Sequence, residues 1–229
     1  MKIIGVLGGM SAESTAVYYR EMNRLVRERL GGLHSADLLI RSVDFAPIAA
    51  LQAADDWDET GRILADAARR LESAGAEIIV LATNTMHLNA DVIRAAIGVP
   101  FLHIGDATAA ALKASGVTRP LLLATRFTME KAFYKDRLIA AGLDPLIPDQ
   151  ADRDRLQAII YDELCQGVVR PESQQAALEM IAKAEGEGAD GIIFGCTEVG
   201  ILLDPDAMTL PTVDTALAHA AAAVDFALG

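Results

Sequence analysis

One cysteine lies where a strand is predicted to end and a helix to begin. The apolar run Gly191–Phe194 is followed by Gly195, Cys196, Thr197 and Glu198. At a helix N-terminus, free N–H groups and the helix dipole stabilise a thiolate, the form of cysteine that acts as a base or nucleophile. Because buried structural cysteines are also common, Cys196 is interpreted either as a reactive thiol or as a packing residue.

A second polar turn follows the apolar run Ile78–Ala82 and consists of Thr83, Asn84 and Thr85. Hydroxyl and amide side chains at a helix start usually cap the helix, but in open parallel sheets the same places bind ligands. The turn Gly8–Glu13 has neither GxGxxG spacing nor a P-loop lysine, so it does not indicate a dinucleotide or a nucleoside triphosphate. It is interpreted as a tight strand-to-helix turn or as an anion site.

The elements that must position these turns form a regular pattern. Short apolar runs alternate with helical periods, which indicates βαβ units and an α/β fold with mostly parallel sheets. One helix is predicted to pack Cys165 among its neighbours and to carry on a single face Leu156, Ile159, Ile160 and Leu164. The predicted strands are Ile3–Leu7, Asp37–Ile40, Ile78–Ala82, Leu121–Ala124 and Gly191–Phe194.

The chain also contains a weak internal repeat. Three segments match in the same order and at nearly one offset, which predicts two similar half-domains, although recurrent strand-and-turn segments of any doubly wound protein also explain the pattern. If the repeat is a duplication, Thr83 and Cys196 face each other across an interdomain cleft. The matched segments are residues 77–85 over 190–198, 102–107 over 210–215, and 4–9 over 120–125.

Composition excludes several classes of function. The 229 residues include 20 Lys plus Arg and 32 Asp plus Glu, a net charge of −12, with no basic cluster that would bind nucleic acid. No apolar stretch approaches the length of a membrane span. Two cysteines cannot form a disulfide framework, and no Cys/His spacing indicates a metal site. We therefore expect a reduced, cytoplasmic, acidic enzyme without a metal.

Six motifs together resemble the aspartate/glutamate racemase family over essentially the whole chain. This resemblance implies two pseudo-symmetric three-layer α/β lobes with mostly parallel sheets and an active-site cleft between them. It also implies a homodimer and cofactor-independent racemisation of amino acids, with one catalytic thiol for each face of the substrate. The motifs are LGGMSxEST (Leu7 to Thr15), SVDF (Ser42 to Phe45), NTMH (Asn84 to His87), FLHIGDAT (Phe101 to Thr108), ATRFTM (Ala124 to Met129) and FGCTE (Phe194 to Glu198).

The expected lobes are residues 1–104, completed by 209–229, and residues 105–208. The chain departs from the family pattern at Thr83, which occupies the place of the first cysteine. It thereby resembles the racemases specific for L-aspartate and L-glutamate that pair a threonine with a cysteine. A second departure lies near Cys165, where aspartate racemases often have a lysine for the distal carboxylate.

The resemblance implies that Cys196 and Thr83 are catalytic and act on opposite faces of the substrate. His87 is expected to orient the loop of Thr83 more than to act as a base, and His103 and His219 are expected to be structural. Gln52 either touches substrate or faces solvent, and Glu198 either binds the substrate ammonium or completes the first helical turn. The implied substrate-binding residues are Met10, Gln52, Asn84, Thr85, Arg126, Thr128, Thr197 and Glu198.

The sequence thus predicts a racemase of aspartate, glutamate or a related small amino acid that needs no cofactor. Two other functions stay open. One is an isomerase or decarboxylase of a small dicarboxylic acid that uses a single thiol. The other is a non-catalytic protein that binds an acidic amino acid, because one of the two expected thiols is missing.

Overall fold

The chain forms two α/β units, each built on its own parallel sheet. The structure is a computed structural model that describes all 229 residues. The first unit comprises Met1–Ile104 and Ala216–Gly229, and the second comprises Gly105–Thr215. The second unit runs beyond residue 208, the boundary expected from the sequence, because strand Thr212–Asp214 pairs within its sheet.

Seven strands and eleven α-helices make up the two units. None of the helices is both long and apolar enough to cross a membrane. The strands are β1 (Ile4–Gly8), β2 (Leu38–Ser42), β3 (Ile78–Leu81), β4 (Phe101–Leu102), β5 (Pro120–Leu123), β6 (Gly191–Phe194) and β7 (Thr212–Asp214). The helices are α1 (Ala12–Leu30), α2 (Phe45–Ala53), α3 (Trp57–Ser73), α4 (Ala90–Ala95), α5 (Ile104–Ala114), α6 (Arg126–Glu130), α7 (Ala132–Ala140), α8 (Gln150–Ala158), α9 (Pro171–Gly186), α10 (Thr197–Leu202) and α11 (Thr215–Leu228).

The two sheets repeat one strand order. The first runs β2-β1-β3-β4 and the second β5-β6-β7, with all pairs parallel. Leu121 of β5 also forms a parallel bridge with Leu146. This bridge lies beside β5 in the same way that β2 lies beside β1. Strands β1, β3 and β4 therefore correspond in order to β5, β6 and β7. The internal repeat aligns the first two pairs in register, whereas its third match places Leu102 over Leu210, three residues before its structural equivalent Val213. The predicted α/β fold with parallel sheets is confirmed.

Apolar residues on both faces of the first sheet explain its three layers. Ile4 and Val6 of β1 belong to a buried cluster with α1 and α11. Leu7 belongs to a second cluster with α3, which includes Leu64. Successive strand side chains point to opposite faces, so a continuous apolar strand needs a helical layer on each side.

Helix ends follow the sequence signals closely in some places and not in others. Gly75 has φ +107 after the end of α3, and Ala76 N–H donates to Leu71 O as in a Schellman motif, so a glycine ends this helix. The apolar face predicted through Leu164 is buried as expected, but the segment is not a single regular α-helix. Helix α8 ends at Ala158 and is followed by one π-helical turn (Ile159–Glu163) and one 3-10 turn (Leu164–Gln166). Cys165 is consequently exposed and not packed in a helix interface.

Candidate active site

Three loops of the first unit leave its sheet at one edge. Leu7 is in register with Leu81, and Gly8 with Ser42, so the carboxyl ends of β1, β2 and β3 are aligned. Met10 lies on the loop after β1 and Thr83 on the loop after β3. This is the edge at which open parallel sheets bind ligands.

The loop of Thr83 is held by backbone and side-chain hydrogen bonds. Thr83 N–H donates to Leu81 O at 2.9 Å, and His87 Nδ1 lies 2.7 Å from Thr83 O. A 3-10 turn (Thr85–Asn89) follows directly. Thr83 is half-buried, whereas Asn84 and Thr85 are buried. The backbone of Thr83 is thus held on both its N–H and its carbonyl at the end of β3.

Gln52 and Met10 both lie inside the first unit. Gln52, on α2, is only 7% exposed, and its Nε2 lies 2.8 Å from Met86 Sδ. The interpretation of Gln52 as a solvent-facing residue is therefore wrong. Met10 is buried in the same apolar cluster as Met86. Both residues are placed next to the 3-10 turn that follows Thr83.

In the second unit, Cys196 precedes α10 and contacts a carboxylate. The thiol Sγ donates to Glu198 Oε2 at 2.7 Å, and Thr197 Oγ1 donates to the same oxygen at 2.9 Å. Glu198 is 9% exposed, so this carboxylate is largely removed from water. The structure thus joins three predicted residues, Cys196, Thr197 and Glu198, in one hydrogen-bonded group.

The environment of Cys196 favours the neutral thiol. Burial raises the pKa of Cys196 well above its usual value, and the charge and hydrogen bond of Glu198 raise it further. The backbone N–H of Glu198 lowers the pKa, as expected at a helix start. The expectation that this position stabilises a thiolate is therefore wrong in its net effect, because burial and the carboxylate outweigh the amide.

Two residues beside the thiol come from the π and 3-10 turns. The pKa of Tyr161 is raised first by burial and then by the charges of Cys196, Cys165 and Glu198. Partial desolvation and the Glu198 charge raise the pKa of Cys165 to about 11. Tyr161 was not singled out from the sequence, since a regular helix does not show which residues a π-turn redirects. The only sequence signal was the departure near Cys165.

Arg126 and Thr128 lie on α6, at the same sheet edge as Cys196. Leu123 and Phe194, the last residues of their strands, are in register, so α6 and α10 both begin at this edge. The Arg126 guanidinium forms an ion pair with Asp154 at 3.1 Å and is about half exposed. Thr128 is fully buried. A substrate carboxylate that binds Arg126 must therefore compete with Asp154.

Comparison with known proteins identifies the class to which this fold and these strand-end residues belong. Residues 7–223 match the model of the Asp/Glu/hydantoin racemase family. The chain belongs to this family, and its class of enzyme is the isomerases. No group of three or more His, Cys, Asp or Glu side chains is placed to hold a metal ion.

Individual relatives give the same assignment. A crystal structure of a candidate Asp/Glu racemase from Yersinia pestis is 49% identical, with a TM-score of 0.95 and all of both chains covered. An aspartate racemase homologue from Pyrococcus horikoshii is 33% identical, with a TM-score of 0.88 and the same full coverage. The broad specificity amino-acid racemase RacX of Bacillus subtilis is 26% identical over 219 residues, 93% of this chain and 92% of RacX.

Proposed function

We propose that this protein is a cofactor-independent amino-acid racemase that acts on aspartate, glutamate or a related small amino acid. The observation that carries the proposal is the half-buried thiol–carboxylate pair of Cys196 and Glu198 at a strand end, in a chain of the Asp/Glu/hydantoin racemase family. The names of the relatives from Yersinia pestis and Pyrococcus horikoshii support the choice of substrate. RacX, described as of broad specificity, supports testing other amino acids as well.

In this mechanism Cys196 removes the α-proton from one enantiomer. The thiol proton passes to Glu198 Oε2, and the thiolate then takes the proton from Cα, while the electron pair of the C–H bond moves into the α-carboxylate. An α-proton is a very weak acid, so a base of high pKa is useful once it is formed. The burial that raises the pKa of Cys196 therefore makes its thiolate scarce but strongly basic.

Negative charge that builds on the α-carboxylate needs nearby donors. Backbone N–H groups that follow Thr83 and Cys196, with the side chains of Asn84, Thr85 and Thr197, supply such donors at the ends of β3 and β6. Buried, preoriented dipoles stabilise developing charge better than water does because they need no reorganisation. The burial of Asn84 and Thr85 supports this role.

Thr83, or a water that it holds, returns the proton to the opposite face of Cα. The hydroxyl loses a proton in this step and regains one by exchange with solvent, as Cys196 and Glu198 return to their resting protonation. A threonine hydroxyl is a far poorer base than a thiolate, so proton removal from its face is slow. The proposed enzyme is therefore asymmetric in its two proton transfers.

A test without pyridoxal phosphate separates this function from its alternatives. L- and D-aspartate, L- and D-glutamate and a panel of neutral amino acids are each incubated with the protein, and circular dichroism follows the loss of optical activity. Racemisation that disappears in Cys196→Ala supports the proposal. Thermal stabilisation by these amino acids without turnover would instead indicate a binding protein. Neither turnover nor stabilisation with any of them would exclude both the racemase and the binding protein.

We extend the proposal to a homodimer in the cytoplasm, as the family resemblance implies. Sedimentation velocity over a range of protein concentrations tests the first point. A species of one chain's mass, 24.3 kDa, that is nonetheless fully active would contradict a functional dimer.

A further inference from the structure

Three buried ring side chains of the first unit, Tyr18, His219 and His87, make hydrogen bonds around the end of β4 and the loop of Thr83. Tyr18 OH lies 2.8 Å from His219 Nδ1, and His219 Nε2 lies 3.0 Å from Leu102 O. Two residues further along the chain, Ile104 N–H donates to His87 Nε2 at 3.1 Å. His87 Nδ1 in turn lies 2.7 Å from Thr83 O.

The partners of these rings fix their tautomers. A carbonyl oxygen can only accept, so His87 carries its proton on Nδ1 and His219 carries its proton on Nε2. Ile104 N–H can only donate, which leaves His87 Nε2 unprotonated. Protonation of His87 at Nε2 would set two N–H groups against each other. His87 is thereby held neutral and is not arranged to exchange protons with a substrate.

Burial strengthens this arrangement. His87 is 1% exposed and His219 is 0% exposed. Burial lowers the pKa of His219 to about 4, so its ring is neutral near pH 7. The amide of Ile104 is the first of α5, and His87 Nε2 accepts from it in a buried place, where a hydrogen bond to a backbone donor is worth most.

The second unit has no counterpart to this device. His87 follows Thr83 by four residues, and Gly200 follows Cys196 by the same four. Glycine offers no side chain that could reach the carbonyl of Cys196 or the start of α11. The imidazole clamp is therefore specific to the half of the molecule that carries the hydroxyl.

From this geometry we infer that His87 is a positioning residue that holds the Thr83 carbonyl and so fixes the hydroxyl for proton return, with Tyr18 and His219 bracing the end of β4 behind it. The inference rests on the proposed racemase function. A hydroxyl is a weak acid and a weak base. The rate of proton transfer from Thr83 therefore depends strongly on where its oxygen lies relative to the substrate Cα. Misplacement by about 1 Å can cost roughly 100-fold in rate.

The test measures how the deprotonated substrate partitions in D2O. Starting from the enantiomer that reacts at Cys196, deuterium is recovered either in the same enantiomer or in the inverted one, and only inversion needs the Thr83 face. This ratio does not depend on how much of the protein is folded. His87→Leu should lower the inversion-to-retention ratio about 10- to 100-fold.

Two variants keep the inference falsifiable. His87→Gln retains a donor for Thr83 O and an acceptor for Ile104 N–H, and should restore most of the ratio. In a Thr83→Ala background, His87→Leu should have no further effect on the ratio. His34→Leu, at an exposed histidine, is the matched control and should leave the ratio unchanged. A wild-type ratio in His87→Leu would overturn the inference.

A spectroscopic measurement separates failure of this inference from failure of the proposed function. Nitrogen-15 spectra of the histidine rings at pH 7 should show the Nδ1–H tautomer for His87 and the Nε2–H tautomer for His219, whatever the protein's activity. A charged His87, or a proton on its Nε2, would overturn the positioning role. Absence of exchange with every amino acid would instead overturn the racemase proposal.

Discussion

Cys196 and Glu198 share a hydrogen bond of 2.7 Å between Sγ and Oε2, and the same carboxylate oxygen accepts the Thr197 hydroxyl. Glu198 thus has two opposing effects on the thiol. Its charge raises the pKa of Cys196 and disfavours the thiolate at rest. In the proposed mechanism the same carboxylate nevertheless takes the thiol proton when the substrate is bound.

Glu198→Gln separates these two effects. Without the negative charge, the pKa of Cys196 should fall, so alkylation by iodoacetamide should reach its half-maximal rate at a lower pH. Racemisation should nevertheless slow by roughly 100-fold or more, because the amide cannot take the thiol proton. The alkylation profile is measured in a Cys165→Ser background so that Cys196 is the one thiol. An unchanged alkylation profile would show that the carboxylate does not control the thiol.

Thr83→Cys should increase turnover, since it supplies a thiol where this chain has a hydroxyl. Thr83→Ser is the matched control, because it keeps the hydroxyl at the same place and should stay within about threefold of wild type, well below the loss expected for a missing proton donor. Thr83→Ala should lose inversion. Initial rates by circular dichroism check all three. Thr83→Ala racemising at the wild-type rate would remove Thr83 from the mechanism.

Arg126 and its partner Asp154 provide a test of carboxylate binding. If Arg126 binds a substrate carboxylate, Asp154→Asn should lower KM for aspartate or glutamate several-fold, because the competing partner is neutralised. Arg126→Gln should raise KM. The surface pair Arg155 and Glu179 serves as a control, since Glu179→Gln should leave KM unchanged. Equal KM values in all variants would exclude Arg126 from substrate binding.

Protonation of His219 should lower the stability of the folded protein in mild acid. Its pKa is about 4 in the fold, against 6.5 for a free ring, so the unfolded chain binds the proton first. The stabilisation is complete above about pH 6.5 and is lost as the pH falls toward about 4, by up to roughly 3 kcal/mol. Urea unfolding at several pH values should show a smaller loss in His219→Gln than in wild type. His34→Gln should behave as wild type does.

The positions of the main strands along the chain were predictable from the sequence, whereas the chemistry of the thiol was not. Apolar runs such as Gly191–Phe194 are buried on both faces of a parallel sheet, so composition alone indicates them. The pKa of Cys196 depends on burial and on where the Glu198 carboxylate points, which no spacing rule states. Tyr161, whose pKa the charge of Cys196 raises, lies on the π-turn that follows α8, and local propensity does not predict such a turn.

The two-residue strand β4 shows the same limit. Its pairing with β3 depends on the fold as a whole, and the short segment Phe101–Leu102 has little strand signal of its own. Leu102 and Ile104 lie at and just after the end of this strand. His219 hydrogen-bonds to the carbonyl of Leu102, and His87 accepts from the amide of Ile104. The motif that contains His87 was visible in the sequence, but the hydrogen-bond partners of His87 and His219 were not, because they depend on how α11 and the end of β4 pack in the fold.

The most direct test of the account is hydrogen exchange at Cα of each enantiomer in D2O, measured separately by proton NMR at early times. The account predicts that one enantiomer exchanges much faster than the other and that Cys196→Ala abolishes this fast exchange. Equal and fast exchange of both enantiomers, or full activity in Cys196→Ala, would contradict the asymmetric roles of Cys196 and Thr83.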